Sequence, residues 1–157
     1  MRHGEVPTAI MRFNQAWLLD PNNYAPYWGF ATVIMDRDKD PEGAERMFQK
    51  AIGMHSGDID LLVDYARFLL RVRRPDEAIG RANDALAIDA ATRDAHAVLA
   101  TGYFMASDLD RALEHAGVAR QRRETYGMMP ILGCLIDKGV TRADDPRGHE
   151  CVPNKSK

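Results

Sequence analysis

Three groups of side chains have types and spacings that suit chemistry. His149 and Cys151 lie two residues apart with Cys134 upstream, a nitrogen and sulfur set of the kind that holds a soft metal. Their spacing matches no established metal site, and the surrounding RADDPRGHECVPNKSK reads more simply as a flexible end. His96 and His115 fall on successive helices with no nucleophile beside them, and the chain has no nucleophile elbow, phosphate loop or HExxH motif. Arg67 and Arg71 stand one helical turn apart, where a guanidinium offers a bidentate contact to a partner's carboxylate. The same two arginines equally suit a helix face turned to water. The expectation is a non-enzymatic protein with no metal and no cofactor.

Bulk properties narrow the class. The 157 residues are 45% apolar and 28% charged with a net charge of -2, the balance of an ordinary folded chain. That length allows one domain or a short repeat array. Two cysteines make no disulfide framework in a chain of this size, so a reducing, cytoplasmic setting is expected. A targeting segment upstream of Met1 would change that reading. The start, MRHGEVPTAIMRF, shows no signal-like apolar region, and the longest apolar run, Met128 to Ile136, is half the ~18 residues of a membrane span. No membrane association is expected.

The elements that must position these groups are written in a period. Ala44, Ala78 and Ala112 are spaced 34 apart, and so are Ala51, Ala85 and Ala119, with Phe48, Ala82 and Ala116 between them. Each set puts small residues on one helix face at successive turns, which lets a neighbouring backbone come close. Upstream of each lies a second apolar set: Tyr27, Phe30, Ala31 and Ile34; Leu62, Tyr65, Ala66 and Leu69; His96, Leu99, Ala100 and Tyr103. Their offsets of 0, 3, 4 and 7 are those of an amphipathic helix. The intervening DRDKDPEGA, RVRRPDEA and ASDLDRA supply an Asp near each second-helix start, with Pro in the first two, and read as tight turns.

This spacing resembles the tetratricopeptide repeat, most clearly in AERMFQKAIGM, with LLDPNN (Leu18 to Asn23) similar to the family's inter-repeat turn. The resemblance implies an all-α fold, a right-handed superhelix of antiparallel helix pairs forming an α-α solenoid. It divides the chain into an array over 1–125, comprising a half repeat (7–23) and repeats at about 24–58, 59–92 and 93–126. An apolar cap or swap helix (127–139) and a flexible tail (140–157) follow. The sequence departs from the family at Ser56, Ala90 and Glu124, where proline is usual, and at His96, where a large apolar residue is usual. One extra residue, placed in the turn around Lys39 and Asp40, makes the span from Ala31 to Ala44 13 residues where the later repeats have 12.

In proteins of this family a peptide lies along first-helix positions. Here those are Trp28, Thr32, Met35 and Asp36, then Val63, Asp64, Arg67, Leu70 and Arg71, then Thr101, Phe104 and Met105. The family's carboxylate clamp of Lys, Asn and Arg is replaced by Trp28, Thr32, Asp64, Asp94 and Val98. The resemblance thus implies a scaffold whose partner is another protein or peptide, amphipathic and with an acidic residue. The half-repeat helix lacks its partner helix, and its Ile10, Phe13, Trp17 and Leu18 predict self-association, a homodimer through this end. The alternative is a nucleic-acid-binding repeat protein using Arg71, Arg73 and Arg74 with Arg120, Arg122 and Arg123. No aromatic residues interleave with those clusters, so nucleic acid is not the expected partner.

Overall fold

The computed structural model describes residues 5–152, and within them every regular element is helical. In chain order these are α1 (Glu5–Leu19), α2 (Ala25–Val33), α3 (Pro41–Met54), α4 (Ile59–Arg71), α5 (Pro75–Ile88), α6 (Ala95–Met105), α7 (Leu109–Gln121) and α8 (Met129–Asp137). A π-helical stretch, Ile34–Asp38, continues α2, and a 3-10 turn, Pro146–Glu150, follows α8. The fold is all-α, built from TPR-like antiparallel helix pairs. Two compact units make it up, one ending at Leu62 and one beginning at Val63.

The alanine grid is the packing grid. Ala44 and Ala51 in the first unit, and Ala78, Ala82, Ala85, Ala112, Ala116 and Ala119 in the second, are all 0% exposed. So are Ala31, Ala66 and Ala100 on the first helices. A methyl is the largest group that fits where two helix backbones approach this closely, so interdigitation there leaves no slack. Larger side chains fill the intervals: Phe48, Leu61 and Leu62 in the first unit, Leu69, Val98 and Leu99 in the second. At Gly102 even a methyl is too much, since a Cβ would lie 2.8 Å from Ile79 Cγ1 on α5.

Helix starts and stops follow local rules. Asp40 caps α3 by accepting from Gly43 N (2.8 Å), and Asp108 caps α7 by accepting from Arg111 N (3.1 Å). Asp58 caps α4 through Leu61 N (2.8 Å). At α5 the residue before the proline is Arg74, which caps nothing and pairs instead with Glu77 at 2.5 Å. Four helices end in the same Schellman geometry. The 6→1 bonds are Arg74 N to Leu69 O, Asp108 N to Tyr103 O, Glu124 N to Ala119 O and Val140 N to Leu135 O, at 2.8 to 3.0 Å. The left-handed residue in each is Arg73, Ser107, Arg123 and Gly139, with φ between 60° and 64°, so only α8 uses the glycine that such a position favours. The extra residue of the first repeat lengthens the helix instead of the turn: Ile34–Asp38 take the wider π turn, and Lys39 then leaves it at φ 55°.

The C-terminal region departs from the sequence reading. The apolar cap or swap helix expected at 127–139 is a one-sided helix packed on its own unit: α8 buries Met129, Leu132 and Leu135 against α7 and α6, while Pro130 and Asp137 face solvent. Beyond it the chain folds back through the buried Val140 to the 3-10 turn, where a flexible tail was expected. Its residues 153–157 lie outside the described part. Cys134 and Cys151 form a disulfide, Cα atoms 5.6 Å apart, against the expectation of unpaired thiols. The chain-entropy account of a loop this short gives about 3 kcal/mol to the folded state.

Overpacking the grid carries a definite cost. Ala82→Leu is expected to destabilise by about 1–3 kcal/mol, read as a lower urea midpoint. Ser107→Gly is expected to stabilise by about 1 kcal/mol by relieving a non-glycine αL residue. A raised thermal midpoint checks it.

Candidate functional site

On the second unit, first-helix side chains and the segment after α7 build one polar cluster. Arg67 on α4 donates to Asp64 Oδ1 at 2.8 Å and to Asp94 Oδ2 at 2.6 Å. Its guanidinium also lies 5.1 Å from the ring centre of Tyr126, whose hydroxyl donates to Arg67 O at 3.4 Å. Both terminal nitrogens thus hold internal carboxylates, and Nε is buried without a hydrogen bond. Two aspartates 30 residues apart use that donor capacity inside the fold, and a partner's carboxylate at Arg67 would compete with them.

Glu124 is the second anchor. Only 5% exposed, it accepts from Ala97 N at 2.8 Å and so caps the first turn of α6 from the following connection. Asp94, at the N-cap, sits at φ 64° and makes no side-chain cap there. Burial pushes the Glu124 carboxyl above the usual glutamate range, with the Ala97 bond working against that rise. Next to it, Thr101 Oγ1 donates to Ala97 O (2.8 Å) and accepts from Met128 N (3.1 Å). Gly127 passes so close to Thr101 that a Cβ would lie 2.3 Å from its hydroxyl, and its φ of 65° makes glycine the one residue that fits without strain.

The other positions expected to line a groove are distributed unevenly. Val63 and Leu70 are core residues of the second unit, and Thr101 is covered by the 127–128 backbone. Phe104 and Met105 are half-buried, and Arg71 is exposed. Trp28, Thr32 and Met35 belong to the first unit and are half-buried, with Thr32 Oγ1 donating to Gly29 O at 2.8 Å. Of the self-association set, Ile10 is half-buried, and Phe13 packs edge-on to Phe30 (5.6 Å) and fills the space over Gly29. Trp17 donates from Nε1 to Tyr27 Oη at 2.9 Å. The apolar surface of α1 that faces solvent is Met11, Trp17, Leu18 and Leu19.

His96 and His115 meet across the α6–α7 hairpin, their Nδ1 atoms 3.0 Å apart, with Tyr103 stacked on His115 and Arg111 over Tyr103. Burial lowers both imidazoles below the usual histidine range; Arg122 and His115 add to this at His96, while Glu114 opposes it at His115. The arginine clusters are largely used within the fold: Arg120 pairs with Asp137 (2.5 Å), and Arg122 donates to Ala90 O (3.0 Å). Disulfide formation removes both thiolates from the metal set suggested by His149 and Cys151.

What the sequence reading missed is a fourth helix pair in reduced form. Cys134 continues the series Ala66 and Ala100 at the same interval of 34, and α8 begins 34 residues after α6. Asp145–Pro146 then repeats the Asp40–Pro41 start of a second helix, which here stops after the five residues of the 3-10 turn. A cysteine on an alanine grid, followed by Asp-Pro, was the signal.

Comparison with known proteins agrees with this geometry. Residues 37–102 match the tetratricopeptide repeat. That match spans 66 of the 157 residues. Among curated proteins none matches by sequence. Among solved structures, pilF of Pseudomonas aeruginosa superposes with a TM-score of 0.73 at 18% identity, over 94% of this chain and 66% of that one. MamA gives 0.67 at 18% over 94% and 85%, and YrrB, described as a TPR protein with an unusual peptide-binding site, gives 0.68 at 17% over 94% and 75%. The chain thus spans just under two thirds of pilF, and at these identities the likeness is one of fold.

Two measurements probe the cluster. Glu124→Ala should cost about 1–3 kcal/mol by stranding a buried N–H, and Glu124→Gln, which keeps an acceptor, should cost less in the same urea titration. Unfolded histidines titrate near 6.5 and the folded pair lower, so the pair's contribution is complete above about 6.5. Below that, only the unfolded chain takes up protons and stability falls with pH. Glu124 acts in the opposite sense, because its raised carboxyl takes up a proton first when folded. The drop in thermal midpoint between pH 7.5 and 5.5 is therefore expected to be smaller in His96→Gln than in the parent.

Proposed function

We propose that this protein is a non-catalytic scaffold that holds an extended or helical peptide of a partner protein against its first-helix faces. The observation that carries this is the internal neutralisation of Arg67 by Asp64 and Asp94. With that charge balanced, the recognition surface of the second unit is apolar at Phe104 and Met105, and the exposed Arg71 of α4 adds a cation. Trp28 and Met35 give the first unit a surface of the same character. The ligand that suits such faces has apolar anchors, with charge in a supporting role. The peptide-binding site named for YrrB supports a peptide as ligand.

The same reading gives α1 a role in self-association through Met11, Leu18 and Leu19, which are 56%, 70% and 87% exposed. Trp17 and Phe13, engaged within the unit, hold that helix in place. No helix among the described residues is long and apolar enough to cross a membrane. The paired cysteines support an oxidising compartment over the cytoplasmic one.

Peptides selected from a random library on the intact protein should bind at least about tenfold more weakly to Met105→Glu/Arg71→Glu, a loss of about 1.4 kcal/mol. A library that enriches nothing, or peptides indifferent to the double substitution, would sink the reading. Sedimentation at micromolar concentration should show a dimer that Leu18→Lys/Leu19→Lys converts to monomer. A monomeric parent counts against the self-association role alone.

A further inference from the structure

A pocket of about 320 Å³ lies in the second unit between the α6–α7 turn and the chain that follows α8. One side is formed by Phe104, Ser107 and Leu109, the other by Leu135 of α8 together with Val140 and Val152. This volume is at the small end of the range for small-molecule sites, too narrow for a packed helix. The lining is mostly apolar, and its ionic groups are Arg142, Asp145 and His149. Asp145 is already spent: Arg147 donates to it from the backbone (2.9 Å), from Nε (2.9 Å) and from Nη2 (2.5 Å). That holds its carboxyl at about 2. Arg142 meets Asp144 at 3.1 Å in a solvent-screened pair, 78% and 72% exposed, that a ligand's anion can compete with.

The second wall depends on one covalent tie. Cys151 is buried beside Val152, and its bond to Cys134 on α8 fixes the returning chain. Polar contacts assist it: Arg147 donates to Lys138 O (3.0 Å) and Gly139 O (3.2 Å), and Lys138 pairs with Glu150. Those groups are exposed, so water competes for them when the disulfide is open.

We propose that this pocket is a binding site for a medium-chain carboxylic acid, with the apolar chain between Phe104, Leu109, Leu135 and Val140 and the carboxylate toward Arg142 and His149, and that the Cys134–Cys151 disulfide assembles it. The site shares Phe104 with the first-helix face of α6 but does not rest on that face's function. Opening requires a dithiol reductant. One of its thiolates attacks a sulfur of the disulfide and its second thiol resolves the mixed disulfide. The reductant leaves oxidised to its own disulfide, and Cys134 and Cys151 each end as a thiol. The returning chain then loses its tether and the pocket its second wall.

Calorimetric titration of the oxidised protein with hexanoate, heptanoate and octanoate tests this. Affinity is expected to rise about fourfold per added methylene until the pocket is full. Filling the pocket from an exposed residue of its lining, by Ala143→Trp, should abolish binding with an unchanged far-ultraviolet spectrum. Arg142→Gln should weaken octanoate about tenfold while leaving octanol unaffected. Reduction with dithiothreitol, or Cys134→Ser/Cys151→Ser, should weaken octanoate at least as much. No binding to the oxidised protein, no dependence on chain length, or binding that survives Ala143→Trp overturns the site. Binding undiminished by reduction overturns its assembly by the disulfide.

Discussion

Two helix backbones can approach each other closely only where neither carries more than a methyl at the crossing. In this chain that limit is met at eleven alanines, all fully buried, and the remaining architecture is fitted around it. The contacts are individually weak, but they recur at two successive turns of each second helix. A slip of one residue would put a larger side chain into the crossing, so the same contacts that pack the pairs also fix their register. Helix ends follow from that register. The turn must bring the next helix back at a set angle, and a Schellman ending with a residue at positive φ does so even when that residue is Arg73, Ser107 or Arg123. Those positions are strained locally because packing on both sides determines them.

The grid ends with α7. The next first helix, α8, carries Cys134 at the alanine position, and among the described residues the element that follows it is the short 3-10 turn. A short 3-10 turn cannot bury enough apolar area to stay docked unaided, since ordering each of its residues costs about 1–2 kcal/mol of backbone entropy. A covalent bond does what packing does elsewhere. The disulfide and the alanine crossings are thus two answers to one problem, how to hold a second element against a first.

The charged groups serve the fold before they serve recognition. Arg67 draws Asp64 and Asp94 together across one repeat step and carries the Tyr126 ring, while Glu124 supplies the cap that Asp94 does not. Each of these is a polar group that would be expensive to bury alone and is made tolerable by a partner from a neighbouring element. Outward on the first helices of the second unit this leaves the half-buried Phe104 and Met105 and the exposed Asp60 and Arg71.

The interval of 34, the alanine faces, the aspartate caps and the all-helical class could be read from residue order alone, because each depends on neighbours within a helix or one turn away. The extra residue of the first repeat was visible too, though whether it enlarged the turn or widened the helix was settled by how Ile34–Asp38 could stay packed. Arg67 gave no sign in the sequence of its partners, because Asp94 and Tyr126 arrive from 27 and 59 residues away. The same is true of Phe13, Thr101 and the two cysteines. Local pattern fixes period and face, but which side chain is consumed by the fold and which remains for a ligand is decided by distant segments competing for the same donors, acceptors and space.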